Sequence, residues 1–187
     1  MDIKDLRFTE PSKIEHDGVK IKHSYAKYTF SDLTPAIGVD PGQNWGIAFV
    51  RPNNINPIMD AGYGLSVYWG TMPKEEHSQD YFHKIRDFVT SWLKGKCNTK
   101  IVMVEGASYG DKYGQNALEQ CRLGFYEAFR EMGADVEYVA PLTPRKHVFG
   151  NGRLSAKNIW LDLNHNAADA ACIALYGGGY QYDKHMS

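Results

Sequence analysis

Two short apolar runs separated by a tight turn constrain the fold of this chain more than any other feature. Residues 36–39 read Ala-Ile-Gly-Val and lead into Asp40, the pair Pro41-Gly42 follows, and residues 46–50 are again apolar. Apolar runs of this length around a glycine-containing turn are typical of two paired strands. The pattern therefore predicts a sheet that begins near residue 36 and turns back on itself directly after an acidic residue.

Strands and helices alternate after this hairpin, which predicts an α/β fold. Further strands are predicted at residues 64–69, 101–104 and 136–140. Apolar residues at three- and four-residue steps, with stops at glycine, predict helices at residues 75–94, 115–131 and 167–176. A three-stranded antiparallel meander followed by crossover-connected parallel strands predicts a five-stranded mixed sheet flanked by helices.

The chain divides into three parts by pattern. Residues 1–34 alternate polar and apolar positions without a clear period, and they are expected to form an N-terminal extension of unknown role, as a strand or an ordered arm. Residues 35–180 are expected to form one domain, and residues 181–187 a tail. A chain of 187 residues has the usual size of a single domain with its own core.

Composition indicates an ordinary globular protein, with 43% hydrophobic and 23% charged residues. Its three cysteines are far apart and in no CxxC arrangement, which argues against a disulfide framework and a zinc site. The N-terminus lacks the apolar segment of a secretory signal, and no apolar run has the ~18 residues that a membrane span needs. An intracellular, cytoplasmic location without membrane contact is therefore expected.

Three acidic residues occupy positions at which a catalytic metal centre would place them. Asp40 and Glu105 each end an apolar strand, and Asp169 lies in the alanine-rich start of the last helix. Small residues let that helix approach the sheet, which would bring Asp169 to the two strand ends. Each acid taken alone is more often a turn, strand-end or capping residue. Converging carboxylates repel one another unless a cation neutralises them, and hard oxygen ligands favour Mg²⁺ or Mn²⁺.

Four motifs in this order resemble the RuvC family of Holliday-junction resolvases, which belongs to the RNase H-like superfamily. Residues 37–42 with Gly46 resemble its first acidic motif, and Val104-Glu105 its second. Residues 144–153 are similar to its basic segment, and residues 167–175 to its last helix, where Ala-Asp-Ala carries the final aspartate. The resemblance covers residues 36–178 and leaves the N-terminal extension outside.

The resemblance implies a crossover junction endodeoxyribonuclease that binds four-way DNA junctions and hydrolyses phosphodiesters with two Mg²⁺ or Mn²⁺ ions. The implied catalytic and metal-binding residues are Asp40, Glu105, Asn166 and Asp169. Between Tyr138 and Leu161 there is no acid, and the basic residues in this window would hold phosphates: Arg145, Lys146, Arg153 and Lys157. In the segment after Glu105, Tyr109 and Tyr113 either stack on bases at the crossover or pack within their own loop.

Asn166 departs from the family pattern, which has an acid or a histidine three residues before the final aspartate. A neutral amide can offer its carbonyl oxygen to a metal but adds no charge, so impaired cleavage is expected. Asp162 and His165 are the nearby substitutes. Two alternatives stay open: a nuclease of the same fold that cuts branched or flapped DNA broadly, and a junction-binding module without catalysis.

A homodimer is also expected, because a two-fold junction needs two active sites to cut opposite strands. The helix at 115–131 and the turn after it carry more apolar residues than one stripe against a sheet requires, namely Leu118, Cys121, Leu123, Phe125, Phe129 and Met132. Part of this surface is therefore predicted to face a partner subunit, and the alternative is that all of these residues pack inside one core.

Overall fold

The computed structural model describes residues 2–28, 32–51, 64–95, 99–107 and 115–182. A short 3-10 turn at Ile3–Asp5 precedes the first strand. The strands are β1 (Ser12–His16), β2 (Val19–Lys27), β3 (Ala36–Asp40), β4 (Asn44–Arg51), β5 (Gly64–Thr71), β6 (Ile101–Glu105) and β7 (Asp135–Val139). The helices are α1 (Asp80–Leu93), α2 (Gln115–Glu131), α3 (Leu142–Phe149), α4 (Ala156–Ile159) and α5 (His165–Gly177).

All seven strands form one mixed sheet in the order β1-β2-β5-β4-β3-β6-β7. β6 pairs in parallel with both β3 and β7, and the other neighbours are antiparallel. The α/β class and the mixed sheet flanked by helices are confirmed, but the predicted count of five strands is wrong. The two additional strands come from residues 12–27, which the sequence left as an extension of unknown role.

The outer of these two strands, β1, has no buried face, so its sequence lacks the alternation of apolar and polar residues that would identify it. Every residue of β1 except His16 is exposed. β2 does alternate, with Val19 and Ile21 buried and Lys20 and Lys22 exposed. It pairs with β5 from Ile21↔Gly70 to Lys27↔Gly64, so the N-terminal residues extend the sheet of the main domain.

The sheet has a hydrophobic core on each face. α5, α4 and α3 cover one face, together with Ile3, Leu6 and Phe8 from the N-terminus. α1 and α2 pack against each other on the opposite face, where Trp45, Phe88 and Trp92 form an aromatic cluster. Among the described residues, no helix combines the length and apolar character needed to cross a membrane.

All of the predicted helices and strands are present, several of them with shifted ends. α1 begins at Asp80 rather than at residue 75, and the Glu75 backbone N–H, ahead of the helix, donates to the Tyr81 hydroxyl at 3.2 Å. α3 and α4 were not predicted. The sequence of α3 has a weak apolar pattern and contains Pro144, and a proline usually indicates a break in a helix. In the structure Pro144 falls within the first turn of α3, where a missing backbone N–H is tolerated.

Candidate functional site

The centre of the site is a pair of carboxylates at adjacent strand ends. β3 and β6 are parallel neighbours with Val39 opposite Val104, so Asp40 and Glu105 leave the sheet side by side. Burial, and then repulsion from Glu105, raises the pKa of Asp40 well above its ordinary value. Burial also raises the pKa of Glu105, although interaction with the neighbouring Asp40 carboxyl lowers it in part. Two buried acids at adjacent strand ends repel each other, so the pair favours a cation.

α5 brings two further polar residues to this pair because its first turns are built from small residues. Ala167, Ala168, Ala170 and Ala171 are fully buried against the sheet. At Gly46, which lies opposite Asp40 in the β3–β4 register, an added Cβ would overlap the backbone carbonyl of Asn166. The Asn164 side chain caps the helix by accepting from the Ala167 N–H at 2.8 Å. The predicted close approach of this helix is thereby confirmed.

Asn166 lies next to Asp40 and meets it through its amide nitrogen. Nδ2 donates to Asp40 Oδ2 at 2.9 Å and to the Asn44 backbone carbonyl at 3.1 Å. The donation to Asp40 favours the charged carboxylate and so partly opposes the effect of burial on its pKa. The expectation from the sequence was that Asn166 would offer its carbonyl oxygen to a metal. In the structure the amide nitrogen is the group that meets Asp40, as a hydrogen-bond donor, and the role of Asn166 as a metal ligand stays a prediction.

Asp169 is buried and held by two basic side chains. Arg145 Nη2 donates to both carboxylate oxygens, at 2.9 and 3.0 Å, and His165 Nε2 lies 3.2 Å from Oδ2. Arg145 comes from α3, so this ion pair ties α3 to α5 beside Glu105. The sequence placed Arg145 among the phosphate-binding residues, and in the structure it contacts a carboxylate of the candidate centre.

Arg122 is a residue of this region that the sequence analysis missed. Its Nε donates to the Glu105 backbone carbonyl at 2.9 Å, and a second nitrogen pairs with Glu119. The buried guanidinium thereby fixes the end of β6 and lowers the pKa of Glu105 against the larger effect of burial. A signal was present, because Arg122 interrupts the apolar stripe of α2 between Leu118 and Phe125.

The donor set suits a hard divalent cation in its chemistry. Asp40, Glu105 and Asp169 offer carboxylate oxygens, and charge repulsion links all three. Within the described part of the chain, no three acidic, histidine or cysteine side chains are gathered as a ready-made metal site. Since Arg145 and His165 engage both oxygens of Asp169, a cation at this centre would have to compete with them.

Comparison with the models of known protein families and with curated proteins found no match. Among solved structures, the chain is similar to RuvC of Thermus thermophilus, with a TM-score of 0.55 and 19% identity over 82% of this chain and 97% of that one. It is also similar to T. thermophilus RuvC in complex with a Holliday junction substrate, at a TM-score of 0.55, 18% identity, and coverage of 81% and 96%. The chain has a RuvC-like fold.

The structure places the four predicted phosphate-binding residues in three different settings. Arg145 belongs to the carboxylate centre, whereas Lys146 and Arg153 are exposed, with no side-chain partner among the described residues. Lys157 is half-buried and donates from Nζ to the Leu161 carbonyl at 2.6 Å. Tyr109 and Tyr113 lie outside the described residues. The two substitutes considered for Asn166 also differ, because His165 contacts Asp169 and Asp162 is exposed.

Proposed function

We propose that this chain is a structure-selective endonuclease that cleaves four-way DNA junctions by metal-dependent phosphodiester hydrolysis. The observation that carries the proposal is the meeting of Asp40 and Glu105 at adjacent strand ends, with Asp169 delivered by α5, in a RuvC-like fold. A similar structure holds a Holliday junction substrate, which supports branched DNA as the substrate class.

In this proposal Asp40, Glu105 and Asp169 hold Mg²⁺ or Mn²⁺, with two ions per site. Bound divalent ions supply Lewis acidity, which activates water and stabilises the leaving oxygen of a phosphodiester. Asn166 positions Asp40 through its 2.9 Å hydrogen bond. Arg145 neutralises Asp169 in the metal-free protein and provides a cation beside the carboxylates, where an anionic phosphodiester must approach.

Asn166 adds no charge, so we infer that cleavage by the chain as it stands is slow. Removal of one preorganised charge-stabilising group commonly costs ~100-fold or more in rate. Asn166→Asp is therefore expected to accelerate cleavage when metal is present.

The test is cleavage of a labelled four-way junction beside duplex, flap and single-stranded DNA, in Mg²⁺, in Mn²⁺ and in EDTA. Asp40→Asn, Glu105→Gln and Asp169→Asn should each abolish cleavage. Asp135→Asn is the matched control, because Asp135 is an exposed acid at the opposite end of β7. Equal cleavage of flap and duplex would favour the broader nuclease. Junction binding without cleavage, even by Asn166→Asp, would favour the non-catalytic module.

A homodimer remains part of the proposal, since two-fold cleavage of a junction requires two sites. Burial reduces the part of α2 that is available to a partner subunit. Cys121, Phe125 and Phe129 are in the core, whereas Leu118 is 42% exposed. Sedimentation at micromolar concentration, with and without junction DNA, tests this expectation, and a monomer under both conditions would remove it.

A further inference from the structure

A groove of about 1110 Å³ lies between the β1–β2 hairpin and the N-terminal end of α5. β5 forms part of its lining, through Trp69 and Thr71, and the segment after β5 contributes Lys74. Asn44 and Asn166 also line it. Because Asn166 also donates to Asp40, this lining residue connects the groove to the carboxylate centre.

Positive charge predominates along this groove. Lys13, Lys20, Lys22 and Lys74 line it and are all exposed, and Glu15 is the one acid among the described lining residues. None of these lysines forms an ion pair with another described residue. An exposed row of unpaired ammonium groups next to a candidate hydrolytic centre is complementary to an anionic polymer that runs through that centre.

The strand register concentrates this charge on the groove side. Lys13 lies directly opposite Lys22, and Lys22 lies opposite Trp69, which packs in the core on the α5 side of the sheet. Paired residues in a sheet share a face, so both ammonium groups are on the side of the groove. Like charges directly opposite each other are unfavourable in the free protein, and a bound anion would relieve this repulsion.

The hairpin that carries these lysines is fixed to the domain. β2 is hydrogen-bonded to β5 over seven paired positions, which holds the lysines of β2 in register with the sheet. At the hairpin turn, His16 Nε2 lies 2.8 Å from Ser91 Oγ on α1, and Ser91 Oγ donates to Asp17 at 3.2 Å. The backbone positions of the lysines are thereby set before any ligand binds, which reduces the entropy lost on binding.

We infer that the β1–β2 hairpin, together with Lys74, binds the sugar-phosphate backbone of a DNA arm that leads away from the carboxylate centre. The inference rests on the proposed function, because it takes the same DNA as its ligand. Contacts of this kind supply affinity that is independent of sequence and strongly dependent on salt. They assign a role to the N-terminal segment, which lies outside the region of family resemblance.

The test compares two double variants of equal charge. Lys13→Gln with Lys22→Gln removes the opposed pair in the groove. Lys27→Gln with Lys100→Gln removes two exposed lysines outside it: Lys27 lies at the far end of β2, and Lys100 precedes β6. Fluorescence anisotropy in EDTA, with a labelled four-way junction and a duplex, gives Kd over a series of salt concentrations, and thermal melts verify folding.

The groove variant should bind both DNAs more weakly, and its slope of log affinity against log salt should be shallower by about 2. The control variant should keep the slope of the unaltered protein. Equal slopes for the two variants would overturn the inference while the proposed nuclease stands. A shallower slope for the groove variant alone, in a protein that cuts no DNA even as Asn166→Asp, would support the inference and overturn the nuclease. No DNA binding by the unaltered protein would overturn both.

Discussion

Arg145 Nη2 lies 2.9 and 3.0 Å from the two carboxylate oxygens of Asp169, and this contact joins α3 to α5 beside the candidate centre. Asp169 is 6% exposed and Arg145 20% exposed in this pair. Removal of one partner from a buried ion pair leaves an uncompensated charge. The arginine therefore has a structural role in the metal-free protein as well as a proposed role near the phosphodiester.

Arg145→Ala should lower the free energy of unfolding by about 3 kcal/mol in EDTA. This value is at the lower end for the loss of one partner of a buried ion pair, because Arg145 keeps some contact with solvent. Urea unfolding measures the change. Lys146→Ala is the matched control, since Lys146 is adjacent and exposed, and it should stay within about 0.5 kcal/mol of the unaltered protein. Mg²⁺ should restore part of the stability of Arg145→Ala by neutralising Asp169. Equal stability of the two variants would contradict the role of the ion pair.

Asn166→Asp should have opposite effects in the absence and presence of metal. The new carboxylate would face Asp40 and the Asn44 carbonyl without a proton to donate, so two hydrogen bonds become repulsive contacts. In EDTA at neutral pH this should cost about 2–3 kcal/mol in unfolding free energy. Mg²⁺ should raise the melting temperature of this variant more than that of the unaltered protein.

Asn164→Asp provides the control for this substitution, because aspartate caps a helix as well as asparagine does and Asn164 makes its capping bond to Ala167. It should leave both the stability and its response to Mg²⁺ unchanged. If Asn166→Asp proves as stable as the control in EDTA, then the hydrogen bond to Asp40 does not hold the site together.

The pH dependence of stability should report the raised pKa of Asp40. In the unfolded chain this carboxyl titrates near its ordinary value of about 3.9. In the folded protein its pKa lies well above that value, because of burial and of repulsion from Glu105. Between the two values the folded state binds more protons, so the contribution of Asp40 to stability is full below the unfolded pKa and is lost as pH rises towards the folded pKa.

Urea unfolding in EDTA from about pH 4 to pH 8 measures this slope. Asp40→Asn should make the free energy of unfolding depend less on pH. It should also make the metal-free protein more stable than the unaltered one at neutral pH, because it removes a buried acid from a functional site that is not optimised for stability. At neutral pH, Mg²⁺ should increase the free energy of unfolding of the unaltered protein more than that of Asp40→Asn. An unchanged slope in Asp40→Asn would show that other groups cause the pH dependence.

Gly46→Ala should weaken the packing that brings α5 to the sheet. The added methyl would overlap the Asn166 backbone carbonyl, so strand and helix would have to separate. Overpacking of this kind costs about 2 kcal/mol. Thermal unfolding measures the loss, and circular dichroism should show that the secondary structure is retained. If Gly46→Ala is as stable as the unaltered protein, α5 can shift away from the sheet without cost. The stabilisation of Gly46→Ala by Mg²⁺ should in that case equal that of the unaltered protein.

The sequence by itself determined the order of the strands and of the three longest helices from residue 36 onward, and the acids that meet at the site. This was possible because each signal is local. An apolar run that ends on Asp40 or Glu105 marks a strand end, and alanines around Asp169 mark a helix that packs closely. Parallel pairing of β3 with β6 then follows from general rules of α/β topology, and the structure confirms it.

Only the tertiary structure decided the strand count, the partner of Arg145 and the orientation of Asn166. β1 is exposed along almost its whole length, so its membership of the sheet depends on pairing with β2 rather than on its own pattern. Arg145 and Asp169 are 24 residues apart and on different helices, and no local signal reports which charge a long side chain will reach. Such contacts depend on how distant segments pack, because burial and hydrogen bonding are settled only when those segments meet.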